Sequence, residues 1–264
     1  MNESEWRRFV ALYHREHPGI TERLLSLAET SPYGWLTDAL RGIGGPVLDL
    51  ACGSAPTREK LPDVDWVGVD LSAAELAEAR RLGRGPLVTA RADALPVGSG
   101  SVDAVCAAMC LPVLTPLPAV LAEVRRVLRP GGVLAALVPS GSGLSLSGAL
   151  GWLRVMAALR AVRQPWPNPG ARDGLGGVLS AAGFRVRSDE RRVFPLVVES
   201  AGAAAVVVDA LYLPGSTPRR SRAARRSLGR WAGPGRRLEL PLRRVVAVLP
   251  SDPPRVGPDR EGSS

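Results

Sequence analysis

Between Pro46 and Val138, short apolar runs alternate with helix-patterned segments, and this alternation restricts the fold more than any other feature of the chain. Val47 to Ala51, Asp65 to Asp70, Leu87 to Arg91, Val102 to Ala108 and Val133 to Val138 read as buried strands. Helical signals lie between them. Ser72-x-x-Glu75 is a capping box that opens a helix running to Leu82. Thr115-Pro116 opens another, with Leu117, Val120, Leu121, Val124, Val127 and Leu128 on one face, and Pro130-Gly131-Gly132 stops it. Strands that alternate with helices in this way form a parallel sheet with right-handed crossovers.

The flanks follow a different pattern. Residues 4–41 read as helical, with Ser31 as N-cap and Pro32 in the first turn, and Gly42 to Pro46 break the chain. Beyond the fifth strand come a Ser/Gly loop, an apolar helix around 150–162 and a short helix capped by Asp173 and ending at Gly183. Phe184 to Val193 is a sixth strand, helices near 199–212 and 218–231 intervene, and Leu240 to Leu249 is a seventh strand. The expected class is α/β: a Rossmann-like, seven-stranded, mostly parallel sheet with helices on both faces, an N-terminal helical lid, and extra helices between strands six and seven. The expected division is a helical cap (1–42), one domain (43–250) and a disordered tail (251–264) rich in Pro, Gly and Asp.

Charge is distributed unevenly. Of the net +9, eight arginines between Pro214 and Leu238 (219, 220, 222, 225, 226, 230, 236, 237) have no acid among them, leaving about +1 for the rest. Cys52, Cys106 and Cys110 form neither a disulfide framework nor a CxxC zinc pair, so they read as buried apolar residues and no metal is expected. The start, MNESEWRRFV, lacks signal-peptide features, and a cytoplasmic setting is expected. The uncharged stretch Gly131 to Leu153 reads as a strand, a loop and a helix rather than a bilayer span, so no membrane partner is expected.

The candidate chemistry sits at the strand ends. In Val47-Leu48-Asp49-Leu50-Ala51-Cys52-Gly53-Ser54-Ala55 a buried strand runs into small residues that let backbone approach a ligand. Asp70 closes the second strand, placed to accept both hydroxyls of a ribose. Arg91-Ala92-Asp93-Ala94 closes the third, where Asp93 could accept from an adenine amino group.

These segments resemble the class I S-adenosylmethionine-dependent methyltransferases, in particular the small-molecule branch with the methyltransferase type 11 domain. The motifs are DLACGSA (49–55), VGVDLS (67–72), ADALPVGSGSVDAV (92–105) and EVRRVLRPGGVL (123–134), in the family's order. The resemblance implies S-adenosylmethionine as cofactor. By it, Asp49, Ala51, Cys52 and Gly53 would line the methionine and ribose portion and Asp70 would hold the ribose hydroxyls. Leu71 would lie beside the adenine, Ala92, Asp93 and Ala94 at the adenine edge, and Ala108 and Met109 near the methyl group. Ala51 and Ala55 stand where members usually carry Gly; Ala55 is expected to limit how closely its turn approaches a ligand.

Methyl transfer from a sulfonium is a displacement with an activated leaving group, so no general base is required unless the acceptor is poorly acidic. No catalytic residue is assigned from sequence. His14 and His17 read as a solvated helix face, and Tyr33, Trp35, Trp152 and Trp166 are candidates for an aromatic substrate wall. The expected partner is a small-molecule acceptor. Two alternatives stand beside it. An RNA methyltransferase would use the 219–237 arginines, but Met109-Cys110-Leu111-Pro112 lacks the motifs of the amino-methylating and cytosine C5 enzymes, and Arg219, Arg222, Arg226 and Arg230 share one solvated face. A non-catalytic scaffold is the other.

Overall fold

The computed structural model describes residues 1–251. Three short helices come first: α1 (Glu3–Glu16), α2 (Ile20–Leu25) and α3 (Pro32–Thr37). Asn2 and Glu5 cap α1 reciprocally, each accepting the other's backbone N–H at 2.9 Å. Ser31 caps α3 as expected, taking the Gly34 N–H.

The alternating region follows with β1 (Val47–Leu50), β2 (Trp66–Asp70), α4 (Ala73–Arg81), β3 (Leu87–Thr89), β4 (Val102–Ala108), α5 (Leu117–Val127) and β5 (Leu128–Pro139). After it come α6 (Leu146–Leu159), α7 (Gly170–Asp173), α8 (Leu175–Ala181), β6 (Arg185–Val197), α9 (Ala201–Asp209), α10 (Pro218–Trp231) and β7 (Arg237–Val248).

The seven strands form one sheet in the order β3-β2-β1-β4-β5-β7-β6. β1 to β5 are parallel and β7 runs antiparallel to both of its neighbours. Chain order reverses between β1 and β4, and a crevice opens there at the carboxyl ends of the strands. Successive side chains of β1 point to opposite faces: Val47 enters one core cluster, Leu48 and Leu50 the other. The seven-stranded α/β expectation therefore holds, including the two helices between β6 and β7.

Several local expectations need correction. Ser72 caps α4, but Glu75 does not return the bond; its carboxylate turns to Gly19 N–H and His14 instead. The α5 helix ends at Val127, because Leu128 is already extended and pairs with Val102, before the Pro-Gly-Gly stop is reached. Thr115 caps nothing; Pro116 is the N-cap residue. Asp173 closes α7 rather than capping α8, and its carboxylate accepts from Gly141 N–H at 2.7 Å. The expected tail lies, from residue 252 onward, outside the described residues.

The N-terminal helices differ in what they do. Ile20, Leu24, Leu25, Tyr33, Leu36 and Leu40 are buried in the same cluster as β5, β6 and β7 side chains. Backbone bonds between Val197 N–H and Leu27, and between Glu29 N–H and Pro195, tie this segment to the β6 edge. Helix α1 differs: its buried residue, Trp6, is not in that cluster, and half-buried Tyr13 packs against it.

Candidate functional site

One cavity of about 580 Å³ opens at the carboxyl ends of β1, β2 and β4, within the usual range for small-molecule sites. Asp49, Ala51, Cys52, Gly53, Asp70, Leu71, Ala92, Asp93, Ala108 and Met109 all line it. Ala94 does not; it forms a bridge with Arg91, which turns it out to solvent.

The floor carries one buried carboxylate, Asp49, and two half-buried ones, Asp70 and Asp93. Asp70 accepts the Gly53 N–H at 2.8 Å and the Ser72 N–H at 2.7 Å, which orients its carboxylate across the turn after β1. Burial raises its pKa, partly offset by those two bonds. Asp49 is 1% exposed, with one oxygen bonded to the Thr57 hydroxyl and Oδ1 without a hydrogen-bond partner among the described residues. Desolvation pushes its carboxyl up to about 7, against the Thr57 bond. Asp93 is held differently: Arg91 grips both oxygens, at 2.8 and 2.7 Å, and keeps its pKa low.

The backbone here is strained. Ala51, Ala55 and Met109 have φ values of 51°, 58° and 60°, a region costly for residues with a Cβ and one that clusters at binding sites. Ala55 is fully buried in the core and does not line the cavity, although Ser54 and Pro56 do. Its methyl group therefore does not obstruct a ligand. What remains of the sequence expectation is the backbone restriction, at a φ of 58°.

Helix α1 forms the roof. Trp6 Nε1 donates to Val113 O at 2.8 Å, Arg7 Nε to Thr115 O at 3.0 Å, and the Tyr13 hydroxyl to Asp209 O. His14 does not face solvent. Its Nδ1 lies 2.6 Å from Glu75 Oε1 and its Nε2 lies 2.9 Å from the Tyr212 hydroxyl. A carboxylate only accepts, so Nδ1 carries the proton, and in the neutral ring Nε2 accepts from Tyr212. Glu75 Oε2 also takes the Gly19 N–H at 2.8 Å. Three distant segments thus meet in a polar chain at the cavity wall. Sequence reasoning missed Glu75 and Tyr212; the one available signal was a carboxylate in α4 at a position that the helix buries.

Of the aromatic candidates only Tyr33 reaches the cavity. Trp35 packs on Phe194, Trp152 donates to Glu239 O, and Trp166 lies away from the site with its buried Nε1 unbonded among the described residues. The three cysteines are buried and burial raises each thiol pKa, which fits packing and not nucleophilic use. No cluster of metal-ligating side chains occurs among the described residues.

A family model described as a methyltransferase domain matches residues 48–136, the stretch that carries β1 to β5 and most of the cavity floor. Over these residues, about a third of the chain, this protein is similar to the methyltransferase domain. A malonyl-acyl-carrier-protein O-methyltransferase from Alcanivorax borkumensis is 42% identical over 107 residues, spanning 37% of this chain and 36% of its own length. Nocamycin O-methyltransferase from Saccharothrix syringae is 30% identical over 195 residues, 62% of this chain and 64% of its own. The chain thus spans between about one third and two thirds of the length of these curated relatives. Among solved structures, the 4+2 cyclase SpnF superposes with a TM-score of 0.58 at 19% identity, covering 92% of this chain and 96% of that one. That likeness establishes the methyltransferase fold and nothing about the reaction.

Proposed function

We propose that this protein transfers a methyl group from S-adenosylmethionine to a small-molecule acceptor, with an oxygen as the methylated atom. The observation that carries the cofactor reading is the unpartnered Oδ1 of Asp49, a buried acceptor in the cavity wall beside a second, backbone-oriented carboxylate, Asp70. A buried acceptor without a donor is costly, and a ligand that supplies one relieves that cost. The family's cofactor presents an ammonium and a ribose diol, donors suited to Asp49 and Asp70. Leu71, Ala92, Ala108 and Met109 supply apolar surface for the adenine and the reacting end. When bound, the cofactor supplies an electrophilic methyl on a sulfonium.

The chain's own contribution is orientation and exclusion of water. Trp6 and Arg7 fasten the roof to the 113–115 loop, and His14 fastens it to α4. The names of the curated relatives, which include three O-methyltransferases, support oxygen as the acceptor atom. For a hydroxyl acceptor, the proton passes to His14 Nε2 through the Tyr212 hydroxyl that donates to it, Glu75 holding the ring in that tautomer.

Calorimetry with S-adenosylmethionine tests the reading directly. Micromolar binding by the intact chain, with a methylated product detected by mass spectrometry across a panel of hydroxylated acceptors, is the expected result. Absence of cofactor binding by a folded chain overturns it in favour of a non-catalytic role.

A further inference from the structure

Outside the cavity, the most unusual surface belongs to α6 and α10. Leu146, Leu150 and Leu153 recur along α6 at helical spacing and are 81%, 59% and 64% exposed; Val162 just beyond is 97% exposed. Globular proteins rarely leave such a stripe uncovered. The opposite face of α6 is what holds it to the protein, through Val155 and Leu159.

Helix α10 has the matching charge. Ala224 and Leu228 are buried, while Arg219, Arg222, Arg226 and Arg230 are exposed. The inner residues of α6 and α10 enter one core cluster, and the two helices pack against each other. Arg154 of α6 lies over the Trp231 ring of α10 at 5.8 Å, which places the leucine stripe beside the arginine face. Residues 140–172 and 210–238 contain no Asp or Glu. The flanking acids are occupied: Asp209 pairs with Arg225 at 2.6 Å, and Glu239 accepts from Ser145.

We propose that this face lies on an anionic lipid surface, with the α6 leucines in the acyl boundary and the α10 arginines against headgroup phosphates. A helix with an apolar stripe flanked by cationic residues binds in the interface plane by just this combination. Nucleic acid would use the arginines and leave the leucines exposed. The absence of a spanning helix among the described residues does not bear on this, because lying on a membrane makes no demand on helix length. The face also adjoins the cavity: Gln164, just after α6, accepts the backbone N–H of Tyr212 at 3.1 Å, and Tyr212 lines the site.

Sedimentation of the intact chain with vesicles tests the proposal, using pure phosphatidylcholine against an equimolar mixture with phosphatidylglycerol. Pelleting with the mixed vesicles only, and less of it as salt rises, is expected. R222E/R226E should weaken it roughly thirtyfold or more, and L150S/L153S roughly tenfold or more. Both pairs are solvent-exposed, so melting temperature and S-adenosylmethionine affinity should stay as in the parent. Four results overturn the proposal: no pelleting with mixed vesicles, pelleting indifferent to the leucine pair, tighter binding to a single-stranded RNA oligonucleotide than to vesicles, or a dimer in ultracentrifugation that L150S/L153S dissociates.

Discussion

At the cavity floor the charge is carboxylate and at least half-buried; on the α6–α10 layer it is arginine and exposed. Asp49 and Asp70 sit at strand ends where burial raises both pKa values, and Asp49 keeps an oxygen without a donor. The four outward arginines of α10 have no carboxylate partner among the described residues, yet water solvates them at little cost. A charge that the fold keeps dry at a cost to stability points to a ligand that satisfies it. A charge left in water is free to attract a partner but constrains nothing inside. The two regions should therefore respond oppositely to substitution.

The largest expected effect is at Asp70. Asp70→Ala removes a carboxylate held by two backbone donors, and cofactor affinity measured by calorimetry should fall about a hundredfold. A loss of less than threefold would detach the ribose reading from this residue. Asp49 comes next, and its effect is on stability. Its folded carboxyl is pushed up to about 7 from an ordinary value near 3.8, so the carboxylate form is disfavoured in the folded state. That contribution to stability is fully present below about pH 4 and is lost as pH rises through 7. Asp49→Asn should raise stability by about 2–4 kcal/mol at pH 8, leave it unchanged near pH 4, and weaken cofactor binding. Urea melts at the two pH values measure it.

His14→Ala should cost about 1–2 kcal/mol and make α1 more susceptible to limited proteolysis, since Glu75 and the Tyr212 hydroxyl each lose a hydrogen-bond partner. Loss of turnover with cofactor affinity within threefold would sharpen its role in proton transfer. The smallest effect is expected on the outer layer: replacing Arg219, Arg222, Arg226 and Arg230 by Gln should change stability by less than about 0.5 kcal/mol and leave cofactor affinity alone. A large drop in either would abolish the contrast between the regions.

The alternation from Val47 to Val138 was readable because periodicity and turn chemistry act locally, and five strands and two helices fall close to their expected places. Helix boundaries fared worse where sheet pairing competed with a local signal. Leu128 leaves α5 because pairing opposite Val102 outweighs another turn of helix. Ala55 was misjudged because whether a methyl group points at a ligand or into the core depends on packing, not on identity. His14 was misread for the same reason: a histidine beside arginines in an amphipathic helix looks solvated until α4 and the 212 region are brought against it.

The sequence alone determined the α/β class, the small-residue turn after β1, the acids at the ends of β1 and β2, and the confinement of excess positive charge to residues 214–238. These depend on residue types at short spacing. Tertiary structure decided the roof. Glu75, His14 and Tyr212 are separated by 61 and 198 residues where they touch, and only the closing of the chain around one core makes them neighbours. It likewise decided that the α6 leucines and α10 arginines are neighbours, because the two helices pack against each other.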